Sequence, residues 1–310
     1  MLSLFDCHCD TITTAMRKGQ DIFDNKLHLS LKALRQFEKA AQVFAVWLDD
    51  DLIADGFKNA NAAIDFFESC LNKHSDIIVK AVDADSLAQC KNGKIVAVLS
   101  VEGCEAIGDS LDNIDYLYNR GVRLMTLTWN RENALGYGAA TGIEKPLKPF
   151  GIEAFKRMEE LGIIVDVSHL NRAGFYSVYE NAQKPFIASH SNAYSLCAHC
   201  RNLTDEQLKI IRDTGSVVGV NLFPPFLNES ERADITDILR HTDYIGNIVG
   251  EDKICLGCDF DGIDKTPDDI HNVSELCLLY AAFEKNFGKA AADKIFFDNL
   301  YGFMSDFLKK

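Results

Sequence analysis

The feature that most constrains the fold of this chain is a repeated alternation of short apolar runs with amphipathic stretches. The runs are rich in β-branched residues and predict strands, and the stretches between them predict helices. Because the runs are apolar along nearly their whole length, they predict a parallel sheet that is covered on both faces. The predicted strands span residues 2–8, 41–48, 94–103, 122–129, 162–170, 185–191, 216–223 and 253–262.

The junctions between these units follow one pattern. A glycine stands between a predicted helix and the next strand at Gly121, Gly162 and Gly215. Glycine suits the left-handed residue that closes a helix. Thr204, followed three residues later by Gln207, predicts a helix that starts with a capping box. These junctions support helices that connect successive strands.

Eight strand–helix units predict a (β/α)8 barrel that occupies residues 1–310 as a single catalytic domain. The alternative is a doubly wound open sheet. No glycine-rich phosphate-binding loop follows the first predicted strand, which disfavours that alternative.

The charge and the ends of the chain limit its partners and its location. The formal net charge is −14, and such a surface repels nucleic-acid phosphates and anionic membranes. The sequence shows no signal peptide, no apolar run long enough to span a bilayer and no lipid-anchor tail. Ten cysteines without a secretory signal indicate reduced thiols. We therefore expect a cytoplasmic protein that binds neither nucleic acid nor membrane.

Two C-x-x-C pairs raise the possibility of a structural zinc site. They are Cys197 with Cys200 and Cys255 with Cys258. The second pair lies in a strand-like run, where residues three apart face opposite sides of the strand and do not easily chelate one ion. Most of the cysteines are therefore interpreted as small buried apolar residues.

Polar residues collect at the carboxyl ends of the predicted strands. In a (β/α)8 barrel these ends meet at one mouth, where the chemistry of the fold takes place. A single histidine there would usually be structural, but three histidines with several carboxylates favour a divalent cation, which offsets the cost of burying the carboxylates. The residues are His8, Asp10, Glu102, Trp129, His169, His190 and Asp259.

Five of these residues predict a two-metal centre. Imidazole nitrogens and carboxylate oxygens suit zinc, and five ligands exceed what one catalytic zinc usually takes. His8 and Asp10, two residues apart, would project from the same face of a strand and hold one ion, while His169 and His190 would hold the other. Glu102 would bridge the two ions, and a water between them would be acidified toward hydroxide. The predicted cofactor is therefore two Zn²⁺ per chain.

The first strand also makes a prediction about its cysteines. Because successive side chains of a strand alternate between its two faces, Cys7 and Cys9 would both point away from the face that carries His8.

The order of these motifs resembles the membrane (renal) dipeptidase family of zinc dipeptidases over nearly the whole chain. The segments that carry the resemblance are "DCHCDT", "SVEG", "DVSH", "ASHSNAYSLCAHCRN" and "LGCDFDG". The resemblance implies a (β/α)8 barrel with a binuclear zinc centre and the ligand set given above. It also implies a bacterial-type member without the membrane anchor of some relatives.

The resemblance further implies the roles of residues that contact the substrate. Arg201 would hold the C-terminal carboxylate of a dipeptide, and Asp259 would handle the proton and face the free amine. Glu102 would serve catalysis as the bridging ligand. Trp129 stands where the family has a histidine that polarises the scissile carbonyl, and Phe226 stands where the family has a tyrosine that borders the substrate near the seventh strand. These two departures bear on carbonyl polarisation and substrate choice.

The first hypothesis for the function is a two-zinc dipeptidase in which a bridging hydroxide attacks the peptide carbonyl. A second hypothesis keeps the metal centre and changes the substrate to a cyclic amide, a lactone or another non-peptide bond, and Trp129 supports it. A third is a non-catalytic binding protein, against which the complete ligand set argues. The predicted partner is a small peptide substrate, and a homodimer is the default oligomer.

Overall fold

The computed structural model describes residues 2–230 and 232–309, and it shows a closed parallel barrel surrounded by helices. The predicted (β/α)8 barrel is confirmed, because the second strand pairs with the first on one side and with the fourth on the other, so the sheet has no open ends there. The strands are β1 Leu4–Cys9, β2 Ala40–Trp47, β3 Ile78–Lys80, β4 Ile95–Glu102, β5 Val122–Thr126, β6 Ile164–Asp166, β7 Ile187–Ala188, β8 Val217–Val220 and β9 Ile254–Leu256.

One of these strands, β3, does not belong to the predicted set of eight. It pairs with the first half of β4, from Ile95 to Ala97, whereas β5 pairs with the second half of the same edge from Leu99 onward. The barrel itself therefore consists of the other eight strands. A run of three paired residues is too short to be distinguished from a loop by its periodicity.

Helices cover the outside of the barrel. The three longest, of 18, 15 and 13 residues, each connect two successive barrel strands. The α-helices are α1 Thr11–Arg17, α2 Leu31–Leu34, α3 Gly56–Lys73, α4 Ala84–Leu87, α5 Leu111–Asn119, α6 Pro149–Leu161, α7 Arg172–Asn181, α8 Asp205–Asp213, α9 Pro224–Leu227, α10 Ile235–Val249, α11 Leu276–Phe287, α12 Lys289–Asp293 and α13 Asn299–Phe307. In the part of the chain that the structure describes, no helix is both long and apolar enough to cross a membrane.

The local signals at two helix ends are confirmed. Gly162 ends α6 with a φ of +80°, which only glycine adopts at little cost. At the start of α8, the hydroxyl of Thr204 accepts from the backbone N–H of Gln207, and the Gln207 side chain accepts from the backbone N–H of Thr204. These caps end one helix and begin another where the sequence predicts.

The interior of the barrel contains a small apolar cluster below its mouth. Val96 and Val98 of β4 belong to this cluster, and α13 closes the opposite end of the barrel with Leu300 and Met304. Because side chains alternate along a strand, the residue that continues the face of Val96 and Val98 at the end of β4 is Glu102. The packing of the barrel interior thus directs this carboxylate into the mouth.

The first strand departs from the predicted alternation. Cys7 lies in the inner cluster, whereas Cys9 lies in the outer cluster between strands and helices, so the prediction that the two share a face is wrong. The pairing of β1 with β2 shifts its register between Asp6 and Cys9, and such an irregularity re-aims the side chains that follow it. In addition, β1 ends at Cys9, so Asp10 is not a strand residue but the N-cap position of α1.

Candidate metal centre and substrate cleft

The structure brings all five predicted ligands together at the mouth of the barrel, and all five are buried. Each lies near or just beyond the carboxyl end of a barrel strand. His8 lies in β1 and Glu102 ends β4. The other three lie in loops just beyond their strands, which are β1 for Asp10, β6 for His169 and β7 for His190.

His169, His190 and Glu102 form the tightest part of this cluster. The Nε2 atoms of the two histidines are 2.9 Å apart, and Oε1 of Glu102 lies 2.8 Å from Nε2 of His169 and 3.5 Å from Nε2 of His190. Nδ1 of His169 lies 2.9 Å from the amide oxygen of Asn130, which can only accept, so this nitrogen carries the proton. Nε2 of His169 therefore presents a lone pair to the other two groups.

The pKa values of these two histidines agree with neutral rings. Burial, together with the positive charge of Arg201, lowers the pKa of His169 well below its usual range. Burial and the neighbouring imidazoles lower the pKa of His190 in the same way. Two unprotonated imidazoles that face each other across a carboxylate oxygen have the donor chemistry of a metal site.

His8 faces the carboxylates on the other side of the cluster. Its Nε2 lies 3.3 Å from Oδ2 of Asp10, 3.6 Å from Oε2 of Glu102 and 3.8 Å from Oδ1 of Asp259. Burial alone would lower the pKa of His8, but the charges of Glu102 and Asp10 raise it well above its usual range. Without a metal ion, this nitrogen would bind a proton in the position that a cation would take.

Two carboxyl groups of the cluster, those of Glu102 and Asp259, also hold protons unusually well. Burial raises the pKa of Glu102 to about 7 and that of Asp259 to about 6; in both, the charge of His8 opposes the rise, whereas that of Asp10 adds to it. Three carboxylates within one buried site repel each other, and a divalent cation relieves both the repulsion and the cost of burial.

The donor set therefore fits divalent metal ions. Two groups of three side chains bring their ligand atoms within 4.8 Å of one another, namely His8, Glu102 and His190, and His8, Asp10 and Asp259. Oδ1 of Asp10 is buried without a hydrogen-bond partner among the described residues, as expected of an atom that awaits a cation. Nitrogen and oxygen donors of this kind suit zinc, manganese and cobalt.

The four-cysteine zinc site, which the two C-x-x-C pairs make possible but the strand pattern disfavours, is not formed by the residues that the structure describes. Among residues 2–230 and 232–309, the groups that could hold a metal ion contain no cysteine. Cys255 and Cys258 are buried in different apolar clusters, and Cys200 is exposed on the surface. The interpretation of the buried cysteines as small apolar residues agrees with this placement.

The backbone around the centre is strained where it positions ligands. His169 and Asp259 have φ values of +70° and +62°, a region that residues other than glycine rarely adopt. Gly262 closes the loop after β9 so tightly that a Cβ there would lie 2.1 Å from Oδ2 of Asp10 and 2.5 Å from Oδ1 of Asp259. Only glycine therefore allows these two carboxylates their positions.

Asp259 is held by an amide that the sequence analysis did not single out. Asn221 donates from Nδ2 to Oδ2 of Asp259 at 3.0 Å. Asn221 is fixed in turn by Asn192, which donates to its backbone oxygen and accepts from its backbone N–H, both at 3.0 Å. The signal was available, because Asn221 directly follows β8 as the other polar residues follow their strands.

A cleft of about 390 Å³ opens above the centre and contains Glu102, Asp259 and Arg201 in its wall. Arg201 is buried, and its Nε and Nη2 atoms have no hydrogen-bond partner among the described residues. Burial lowers the pKa of this guanidinium from its usual value. A buried arginine with two free donors at a cleft is suited to bind a carboxylate.

Phe226 supports this arginine. Its ring lies 5.2 Å from the guanidinium carbon of Arg201 and 4.4 Å from the centre of the His199 ring. The backbone N–H of Arg201 also donates to Nδ1 of His199. Phe226 lines the cleft, and its face also packs against the arginine.

Trp129 forms one wall of the cleft together with a second tryptophan. The ring centres of Trp47 and Trp129 lie 5.0 Å apart. The guanidinium carbon of Arg131 lies 4.6 Å from the centre of the Trp129 ring. Arg131 forms an ion pair with Asp50. Trp47 was not predicted as a site residue, although it ends β2 at the same level as Glu102 ends β4.

A larger groove of about 590 Å³ lies at the opposite end of the barrel, beside α13, and contains Lys184, Lys253 and Asp306 in its wall. No histidine or cysteine lines it. The clustered metal-binding groups, the strained backbone and the unpaired arginine all lie at the smaller cleft, so we place the candidate site there.

Comparison with known proteins agrees with this site. A family model described as membrane dipeptidase (peptidase family M19) matches residues 1–306. An uncharacterized dipeptidase of Schizosaccharomyces pombe is 32% identical over 274 residues, which cover 82% of this chain and 66% of that relative.

Two solved structures are similar over nearly their whole length. A crystal structure described as dipeptidase AC, a metallopeptidase of family M19, has a TM-score of 0.93 and 27% sequence identity to this chain. The match covers 100% of this chain and 99% of that one. A metallopeptidase from Rhodobacter sphaeroides, liganded with a phosphinate mimic of the dipeptide L-Ala-D-Ala, has a TM-score of 0.91 and 26% identity, and covers 97% and 98% of the two chains. The chain therefore belongs to the membrane dipeptidase family, peptidase family M19, and is a metal-dependent peptide hydrolase of that family.

Proposed function

We propose that residues 1–310 form one catalytic domain that uses two zinc ions to hydrolyse dipeptides with a free C-terminal carboxylate. The observation that carries the proposal is the convergence of unprotonated imidazoles and buried carboxylates beside Arg201, whose Nε and Nη2 have no hydrogen-bond partner among the described residues. The relative from Rhodobacter sphaeroides, which binds a dipeptide mimic, supports the same substrate class.

The metal ligands divide into two groups that share one residue. His8 and Asp10 would hold one ion, His169 and His190 the other, and Glu102 would contribute one oxygen to each. This division follows the two oxygens of Glu102, since Oε2 faces His8 and Oε1 faces the other two histidines. Two divalent ions held by these residues would supply Lewis-acid chemistry there, lowering the pKa of a water and polarising the carbonyl of the substrate.

The protein side chains orient the dipeptide. Arg201 offers Nε and Nη2 to the two oxygens of the C-terminal carboxylate, and a paired donor of this kind fixes the direction of the substrate. Asp259 can face the free amine with Oδ1, because its Oδ2 is occupied by Asn221.

Asp259 also supplies the proton transfer. Its pKa of about 6 lies close enough to neutrality for the carboxylate to take up a proton from the attacking water and release it to the leaving amine. The hydrogen bond from Asn221 keeps the carboxyl group in place while the proton is held on Oδ1.

A second candidate function is supported by Trp129. The rings of Trp47 and Trp129, tilted by 59° to each other, form an aromatic wall where the family pattern has a histidine. An apolar aromatic wall suits a cyclic amide or a lactone as well as a peptide side chain. The two functions share the metal centre and differ in the need for Arg201.

One experiment tests the proposal and separates the two functions. Purified protein is analysed for bound metal and assayed against a dipeptide library, the same dipeptides with amidated C-termini, and a panel of lactams and lactones. We expect about two divalent ions per chain and hydrolysis confined to free dipeptides. Hydrolysis of lactams or lactones in preference to dipeptides would favour the second function, and a protein without metal or activity would contradict both.

A further inference from the structure

A buried carboxylate that has no part in the proposed function lies directly behind the histidines. Asp166, the last residue of β6, accepts four hydrogen bonds. Its Oδ1 accepts from the backbone N–H groups of Ser168 at 2.9 Å and Ser189 at 3.0 Å, and its Oδ2 accepts from the hydroxyls of Thr126 at 2.7 Å and Ser189 at 2.6 Å. Four donors offset the cost of burying this charge and join three neighbouring strand ends.

The position of one proton follows from these contacts. Oγ of Ser189 lies 2.6 Å from a carboxylate oxygen of Asp166, which can only accept, so the single hydroxyl hydrogen of Ser189 points to Asp166. The contact of 2.7 Å between this Oγ and Nδ1 of His190 therefore requires that Nδ1 donates. The ring proton of His190 is on Nδ1, and Nε2 presents its lone pair to the cluster.

The backbone of His190 is fixed by the same group of residues. Its N–H donates to Oγ of Ser168 at 3.1 Å. The ring is thus held through Ser189 and the main chain through Ser168, and both serines are bound to Asp166. In contrast, the partner of Nδ1 in His169 is the neutral amide of Asn130.

We propose that Asp166 and Ser189 are positioning residues that hold His190 in the Nδ1–H tautomer and thereby set the metal affinity of the position that His190 shares with His169 and Glu102. A carboxylate that acts through a hydroxyl makes the imidazole a better donor to a cation and prevents the ring from turning. The inference rests on the proposed function for its metal, but not for the tautomer of His190.

The decisive variant is Ser189→Ala, which cuts the connection between Asp166 and His190. The matched control is Thr126→Val, which removes a different hydrogen bond to the same oxygen of Asp166 and leaves the contact of Ser189 with His190 in place. Metal affinity is measured by competition of Zn²⁺ with a chromophoric chelator. The tautomer is measured in the metal-free protein from the ¹⁵N chemical shifts of the imidazole nitrogens.

We expect Ser189→Ala to weaken the binding of one of the two ions by about 10- to 100-fold, the usual effect of losing a partner of a ligating histidine. The other ion should be bound within about threefold of the parent, and Thr126→Val should keep both affinities within the same range. The ¹⁵N shifts should show one Nδ1–H tautomer of His190 in the parent and in Thr126→Val, and a mixture in Ser189→Ala.

Unchanged affinities and an unchanged tautomer in Ser189→Ala would overturn the proposal, and so would an equal loss in Thr126→Val, because Asp166 would then act only as a general support. A parent protein that binds no Zn²⁺ would contradict the proposed function, while the ¹⁵N shifts would still decide whether the tautomer is held. Should Ser189→Ala fail to fold, Ser189→Cys takes its place, since a thiol is a weak hydrogen-bonding group of similar shape.

Discussion

At the scale of single residues, the pairing of the Arg201 charge depends on what binds in the cleft. The guanidinium is buried beside the ring of Phe226, and two of its nitrogen atoms have no partner among the described residues. A buried cation without a counter-charge costs stability. The charges of Asp259 and Glu102 compensate this cation in part, and under the proposed function a substrate carboxylate would bind the two unpartnered nitrogen atoms.

Replacement of Arg201 tests this role. We expect Arg201→Ala to lower kcat/KM for free dipeptides by an amount that corresponds to about 2–5 kcal/mol, as for a buried charge pair that loses one partner. The same dipeptides with amidated C-termini should be poor substrates of the parent and little affected by the change. Equal losses on both forms of the substrate would mean that Arg201 is structural.

Trp129 is the second residue whose chemistry can be isolated. An indole donates one hydrogen bond and cannot titrate. If Trp129 mainly forms a wall with Trp47, Trp129→Phe should keep turnover within about tenfold of the parent, less than the 10²- to 10³-fold loss typical of a missing oxyanion donor. Trp129→Ala should change which side chains are accepted and leave the metal content unchanged.

The opposite pattern would contradict the wall. A collapse of turnover in Trp129→Phe, with an unchanged side-chain preference in Trp129→Ala, would identify the indole N–H as the group that polarises the carbonyl. Turnover, side-chain preference and metal content of both variants are therefore measured together.

At the scale of elements, the loop after β9 determines where two carboxylates lie. We expect Gly262→Ala to displace Asp10 and Asp259, because the added Cβ would lie 2.1 Å and 2.5 Å from their oxygens. Metal content and turnover should both fall, while the circular dichroism spectrum stays that of the parent. The control is Gly302→Ala in α13, where a Cβ has no neighbour within 4 Å, and it should retain both properties.

The strands and the residues at their ends show how far the sequence predicts the structure. The barrel and the groups at its mouth follow from a period of two residues in the strands and from polar residues at strand ends, as for Glu102 after Val96 and Val98. What the sequence does not reveal depends on three-dimensional pairing. The register shift in β1, which separates Cys7 from Cys9, and the three-residue strand β3 arise from neighbouring strands rather than from local composition.

The supporting residues of the site were missed for a related reason. Asn221 and Asp166 end or follow their strands as the ligands do, but they were not singled out because their partners are other protein groups rather than a metal ion. In the sequence, Trp47 looks like any other apolar residue of a buried strand. Its contact with Trp129, in the loop after β5, appears only in the folded structure.

At the scale of the whole molecule, the centre links metal, pH and stability. In the metal-free protein, burial raises the pKa values of Glu102 and Asp259 to about 7 and about 6, above the values in an unfolded chain. A carboxyl group with a raised pKa contributes stability below its unfolded pKa and loses this contribution as the pH rises through its folded pKa. Through these two groups, the free energy of unfolding of the metal-free protein should therefore fall as the pH rises from about 4 to about 7.

Bound metal should therefore stabilise the protein most at the pH at which this loss of stability is greatest. We expect Zn²⁺ to raise the melting temperature of metal-free protein more at pH 8 than at pH 5.5, and its binding near pH 6 to release protons, because the ligands must be deprotonated. Thermal unfolding and calorimetry in buffers of different ionisation enthalpy measure both effects. A shift in melting temperature that does not depend on pH would show that these carboxyl groups do not bind the metal.

The pairing of β1 with β9 has a consequence for the folding of the chain during its synthesis. Thr11, next to the first ligands, contacts Asp261, which follows 250 positions later. During synthesis on the ribosome, His8 and Asp10 emerge before the other candidate ligands, and Asp259 and the last barrel strand emerge about 250 positions after them. All five candidate ligands are therefore synthesised by residue 190, but the ring of strands that brings them together closes only when β9 is made and pairs with β1.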